Sequence, residues 1–259
     1  MAQPLSRTAA LLCGGTAGIG LASAKALALA GVPKIMLIGR TEARGVDAVK
    51  VLTEIAPGAE VRFSAHDIAT PTGASQAVEA ALTAFGDINL LVNTGGGVSM
   101  PELFHKSPLD SSLTSGLDGL LRGVILPCRA VLPHMMERRG GAIINIASDA
   151  GKLATPGEAV IGAGMAGIMM FSRALALEAK RNGIRVNCLT PSIVRGTPLY
   201  DDLMAHPFAS KIFEKAEKMA SLGVVEADEL AHLAVFLASP EAAKISGQCI
   251  SMNGGISMA

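Results

Sequence analysis

Short apolar runs recur along the chain at 9–13, 35–38, 61–64, 90–93, 142–147, 185–189 and 248–251. Stretches of helical periodicity separate them, at 18–31, 42–55, 72–85, 110–138, 158–182 and 226–238. Few architectures accept that order. A strand that is apolar on both faces must be covered on both faces, and a helix between two strands leaves them parallel. Right-handed crossovers then wind the elements into a doubly wound α/β sheet of seven parallel strands flanked by helices. No linker, repeat or composition break divides the 259 residues, so one domain spanning 1–259 is expected. The stretch 191–225 is the least regular, interrupted by Pro191, Pro198 and Pro207. It reads either as a lid over a ligand site or as a packed excursion.

Charge excludes several partners. Lys+Arg and Asp+Glu both number 22, without blocks of one sign, so nothing marks a nucleic-acid or anionic-membrane surface. The longest nearly uncharged run, 160–172, is too short to span a bilayer and contains three glycines. The start of the chain, Met1-Ala2-Gln3-Pro4, lacks a signal-peptide pattern. Four cysteines, at 13, 128, 188 and 249, lie far apart in apolar segments, as thiols of a reducing compartment do. A soluble, cytoplasmic protein is expected. None of the five histidines has a second at metal-ligand spacing, and no metal site is expected.

The first strand runs straight into Gly14-Gly15-Thr16-Ala17-Gly18-Ile19-Gly20 and then a helix. Glycines there permit a sharp turn and bring a helix N-terminus against a pyrophosphate. Between first strand and first helix of an alternating chain, this string marks a Rossmann-like dinucleotide site. A tight turn that binds nothing is the alternative.

These features resemble the short-chain dehydrogenase/reductase family. Gly14, Gly18 and Gly20 match its glycine spacing, with Cys13 where the family usually has Thr. Asp67 resembles its adenine-contacting Asp, and Asn93-Thr94-Gly95-Gly96 its Asn-Asn-Ala-Gly turn. Further similar runs begin at Arg129, Ile143, Ile184 and Gly247. The resemblance implies cofactor contacts at Gly14, Thr16, Gly18, Ile19, Gly20, Arg40, Asp67, Asn93 and Gly95. Arg40 stands where NAD-preferring members carry an acid, so NAD(P) with a lean toward NADP is implied, a guanidinium pairing with a ribose 2′-phosphate. A solvated surface charge fits Arg40 as well.

Members of the family interconvert an alcohol and a carbonyl. Ser holds the substrate oxygen, Tyr passes its proton, Lys lowers the Tyr pKa, and an Asn completes a proton relay. Ser148 occupies the first position, but Ile161, Met165 and Leu120 occupy those of Tyr, Lys and Asn. The family's Pro-Gly after the sixth strand reads Pro191-Ser192, and the one tyrosine, Tyr200, lies elsewhere. Neither Ile161 nor Met165 exchanges a proton at neutral pH. Loss of a positioned acid or base costs about 10²–10⁴ in rate. Asp149, Lys152, Glu158, His105 and Arg195 flank the family's cleft and are candidates for a repurposed acid/base pair, or are rim residues.

Helix 158–182 has almost no polar face before Arg173, so both its sides need cover. In the family this helix packs on the sheet and on a neighbouring subunit, and the last strand joins a second interface. Preserved surfaces with erased chemistry imply a non-catalytic subunit beside a catalytically intact relative in a hetero-oligomer, tetrameric as in the family. The pattern resembles paired-subunit dehydrogenases such as that acting on 2-(α-hydroxybenzyl)succinyl-CoA in anaerobic toluene breakdown, which implies a hydroxyacyl-CoA substrate. Two alternatives stay open: an NAD(P)-dependent oxidoreductase with non-standard acid/base residues near Ser148, and a nucleotide-sensing module.

Overall fold

Five consecutive apolar residues, Ala9–Cys13, form the first strand, and every one is buried. The computed structural model describes residues 3–96 and 100–259; Met1 and Ala2, which open the N-terminal stretch, lie outside it. In chain order the strands are β1 (Ala9–Cys13), β2 (Lys34–Gly39), β3 (Glu60–Ala65), β4 (Leu90–Asn93), β5 (Gly141–Ile146), β6 (Ile184–Thr190), β7 (Val194–Arg195), β8 (Val225–Glu226) and β9 (Cys249–Ser251). Seven make one parallel sheet in the order β3-β2-β1-β4-β5-β6-β9, and β7 and β8 pair separately. The fold is thus the doubly wound, Rossmann-like α/β sheet that the alternation of elements demanded.

The helices are α1 (Gly18–Leu29), α2 (Glu42–Ile55), α3 (Pro71–Phe85), α4 (Ser112–Glu137), α5 (Ala159–Ala179), α6 (Pro198–Ala205), α7 (Ala209–Met219) and α8 (Ala227–Ala238). Strand residues alternate between two cores. Ala9, Leu11 and Cys13 face the layer of α3, α4 and α5, whereas Ala10 and Leu12 face α1, α2 and α8. Only the edge strand β3 alternates visibly. Its Glu60 and Arg62 are exposed and paired, and charge on an edge discourages pairing with another chain.

Two sequence expectations need correction. The stretch 191–225 is not irregular: it holds α6, α7 and the β7–β8 pair. Its own small core comprises Ile193, Leu203, Ala209 and Phe213. Pro198 starts α6 rather than interrupting it, and Thr197 caps that helix by accepting from the Tyr200 amide. The second concerns membrane-spanning length. With its closing 3₁₀ turn, α5 runs over Ala159–Asn182, 24 residues that include an 18-residue stretch of mean hydropathy 1.7, long and apolar enough to cross a bilayer. Here it covers the sheet, with Ile168, Met169, Ser172, Leu175 and Ala176 buried against its neighbours.

A buried polar chain ties that helix to the central strands. Asn93 Nδ2 donates to Asn145 Oδ1 (2.9 Å), Asn145 Nδ2 to Ser172 Oγ (2.9 Å), and Ser172 Oγ to the Ile168 carbonyl (2.8 Å). Buried polar groups left without partners cost about 1–3 kcal/mol each. Asn145→Ala leaves one Asn93 amide N–H without its acceptor, while Ser172 Oγ keeps its bond to Ile168, so it should lower unfolding free energy by about 1–3 kcal/mol, read by urea denaturation. A loss below about 0.5 kcal/mol would mean the chain does not hold α5 in place.

Candidate functional site

The winding reverses between β1 and β4, and a crevice opens there at the C-terminal ends of the strands. It forms a cleft of about 780 Å³. The turn after β1 builds one wall. Gly14 adopts φ +80°, and a Cβ on it would lie 2.7 Å from both the Gly95 nitrogen and Thr94 Oγ1. A Cβ on Gly20 would collide with the Gly14 carbonyl oxygen. Only glycine lets these turns and α1 meet. Ala17 precedes α1 and offers no side-chain cap, so the first N–H groups of that helix lack a side-chain partner among the described residues. Bare amides at a helix N-terminus bordering a cleft fit a pyrophosphate.

Gly14, Thr16, Gly18, Ile19, Gly20, Arg40, Asp67 and Gly95 all line this cleft, as the sequence expectation places them. Arg44, one turn into α2, joins Arg40 at the same end and was not anticipated. Neither arginine has an acidic partner within 4 Å among the described residues. Asp67 accepts from the Ala69 amide (3.0 Å), which steadies the turn after β3. Asn93 is a correction. Its side chain is buried beneath the cleft, donating to Cys128 Sγ and Asn145 Oδ1, so it supports the wall and does not face a ligand.

At the other end of the cleft, Ser148, Leu120, Ile161 and Met165 come together. Ser148 caps the 3₁₀ turn Asp149–Gly151 by accepting from the Ala150 amide (3.2 Å). Leu120 is buried against Gly96 and Gly164, and Met165 packs on the α5 side of the core. Leu153, Pro156, Leu203, Phe213 and Ile256 complete an apolar end. The cleft is therefore polar and cationic where the Gly-rich turn lies, and greasy where the proton chemistry of such sites belongs. Residues at the first end fit the adenosine-diphosphate part of a dinucleotide; those at the second supply no acid, base or cation at positions 161 and 165.

Most of the candidate replacement groups are committed elsewhere. Asp149 is 3% exposed, and its carboxylate accepts from Ser251 Oγ (3.2 Å), Ser257 Oγ (3.0 Å) and Asn253 Nδ2. Lys152 Nζ donates to the Cys249 carbonyl (2.9 Å) and Ser251 Oγ (2.8 Å). Both clamp the C-terminal segment, whose Ile256 lines the cleft. No sequence motif marked that role, which depends on residues about a hundred positions apart. Arg195 pairs with Glu217 (2.8 Å), to which Tyr200 also gives its hydroxyl (3.0 Å). His105 is exposed on a 3₁₀ turn, Phe104–Lys106, away from the cleft lining. Glu158 remains: it is half-buried, lines the cleft, and burial pushes its carboxyl above the ordinary range against a lowering hydrogen bond from Thr155.

Fold and cleft together define an α/β protein of the dinucleotide-binding oxidoreductase type. The short chain dehydrogenase family model matches residues 8–207, and the chain belongs to that family. It is 32% identical to the 3-oxoacyl-acyl-carrier-protein reductase FabG of Chlamydia muridarum, covering 97% of this chain and 98% of the relative. It is 31% identical to the hydroxy(phenyl)methyl-succinyl-CoA dehydrogenase subunit BbsD of Thauera aromatica, covering 96% of each. Among solved structures, levodione reductase superposes with a TM-score of 0.89 at 26% identity over 96% of each chain. The 3-ketoacyl-(acyl-carrier-protein) reductase of Brucella melitensis, complexed with NADH, does so at 0.86 and 27% identity, over 98% of this chain and all of that one.

A raised carboxyl pKa means that folding favours the protonated form of Glu158. That contribution is complete below the ordinary glutamate pKa and is lost as pH rises through the folded value. Glu158→Gln keeps the shape without the charge. It should resist urea better than the wild-type chain at about pH 8, the gap closing by about pH 4. Equal midpoints at both pH values would contradict the burial argument.

Proposed function

We propose that this chain is a non-catalytic subunit that supports a catalytically intact short-chain dehydrogenase in a hetero-oligomer. The observation that carries this reading is the replacement of the expected Tyr and Lys by Ile161 and Met165 inside an otherwise formed cleft. Leu120 fills the relay position in the same way. The outer face of α5 supports a partner: Met170 and Leu177 are 61% and 65% exposed, in line with the alanines at 163, 166 and 174. An apolar helix face of this kind is covered in an assembly. A tetramer built from two copies of each subunit matches the family's mode of packing.

Arg40 and Arg44 at the adenosine end support NADP over NAD for any dinucleotide this cleft holds. The likeness to BbsD, itself named as a subunit of a succinyl-CoA dehydrogenase, supports a hydroxyacyl-CoA substrate for the complex. Buried thiols and balanced charge fit a cytoplasmic setting.

One observation favours a second reading, an oxidoreductase with relocated acid/base chemistry: Glu158 holds a raised carboxyl pKa within the cleft. Loss of turnover in Glu158→Gln would support it.

Two outcomes test the proposal. The purified chain, given NADPH or NADP and a 3-oxoacyl or 3-hydroxyacyl thioester, should turn over at least about 10²-fold more slowly than the complex with its intact partner. Comparable rates from the chain alone would refute the non-catalytic assignment. In calorimetry, Arg40→Ala should weaken NADP binding about tenfold or more while leaving NAD binding unchanged. Equal losses for both would remove the preference for NADP.

A further inference from the structure

Two pairs of cysteines approach each other in this fold, and their surroundings differ. Cys13 on β1 and Cys128 on α4 are wholly buried, and burial pushes both thiols up, that of Cys128 to about 12. Such thiols are inert. Cys188 and Cys249 are direct register partners on the neighbouring parallel strands β6 and β9. Neighbouring strands lie about 4.8 Å apart, within the range of about 4.4–6.8 Å between Cα atoms that a disulfide spans. Both side chains lie on the face of the sheet that α5 covers. Cys188 is wholly buried there, Cys249 is only half-buried, and Cys249 Sγ sits 3.8 Å from the Met169 carbonyl.

We propose that Cys188 and Cys249 form a redox modification site, in which hydrogen peroxide oxidises Cys249 and Cys188 resolves it to a reversible disulfide across β6 and β9. The Cys249 thiolate attacks the peroxide oxygen, the O–O bond breaks, and Cys249 becomes a sulfenic acid while hydroxide leaves. Cys188 then attacks Cys249 Sγ, the S–O bond breaks, and the Cys188 proton leaves with the hydroxyl as water. Two thiols are oxidised and one peroxide is reduced to two waters.

Electrostatics assign the roles. Hydrogen bonding from Cys188, then the charges of Arg173 and Lys152, lower the pKa of the Cys249 thiol, whereas its hydrogen bond to Cys249 and burial raise that of Cys188. The more acidic, more accessible sulfur is the one that meets the oxidant. Lys152 also fixes the backbone of that residue through the Cys249 carbonyl (2.9 Å).

Peptide mapping of the full chain decides the matter. After treatment with hydrogen peroxide and alkylation of remaining thiols, trypsin should release peptides 186–195 and 245–259 joined, and dithiothreitol should separate them. Cys13 and Cys128 should stay alkylated. Cys188→Ser, which keeps a hydrogen-bond donor beside Cys249 but has no second thiol, should leave a sulfenic acid on Cys249 that dimedone traps, and Cys249→Ser should yield neither product. Either of two results on the wild-type chain overturns the proposal without recourse to the variants. One is Cys249 recovered as a free thiol after peroxide; the other is dimedone-labelled or over-oxidised Cys249 without the joined peptides.

Discussion

Two backbone turns meet where the chain reverses its winding, and the architecture of the cleft follows from that contact. The turn after β1 and the turn after β4 approach so closely that Gly14 has no room for a side chain beside Gly95 and Thr94. Thr94 closes the contact by donating to the Cys13 carbonyl (3.0 Å). With the turns joined, α1 starts at the cleft with its amides uncapped, and β4 and β5 carry their ends to the opposite wall. Any larger residue at this junction would separate the walls and close the anion site.

Binding geometry and proton chemistry are separable in this fold. Ile161 and Met165 are about as large as the side chains they replace, so α5 keeps its seat on β6 and the cleft keeps its shape. What disappears is the ability to give or take a proton and to place a positive charge beside the reacting oxygen. Of the nearby polar groups, Glu158 alone among the sequence candidates lines the cleft without a commitment elsewhere. Asp149 and Lys152 are held by the C-terminal segment, and Arg195 and Tyr200 by Glu217. The outer face of α5 carries small and apolar residues, with Met170 and Leu177 exposed, and is the surface on which the proposed partner would pack.

Much of this was legible in the sequence because it depends on local order. Continuous apolar strands, the Gly-rich string between β1 and α1, and the fixed offsets from Ser148 to Ile161 and Met165 need no tertiary knowledge. Elsewhere local signals misled. Pro198 reads as a breaker but occupies the first turn of α6, where its missing N–H costs nothing. Asn93 reads as a ligand contact by family position, yet its amide faces inward to Cys128 and Asn145. The commitments of Asp149 and Lys152 were out of reach, since their partners lie at 249–257 and only the closed sheet brings them together. Arg44 was missed for a simpler reason: it stands in the first turn of α2, four residues after Arg40, and no motif requires a second cation there.

The central claim concerns how many chains in the assembled complex perform chemistry. A pre-steady-state burst of NAD(P)H formation, measured with the reconstituted complex and saturating alcohol substrate, counts those centres. The account predicts a burst equal to the concentration of the intact partner subunit alone. A burst equal to the sum of both subunits would contradict it.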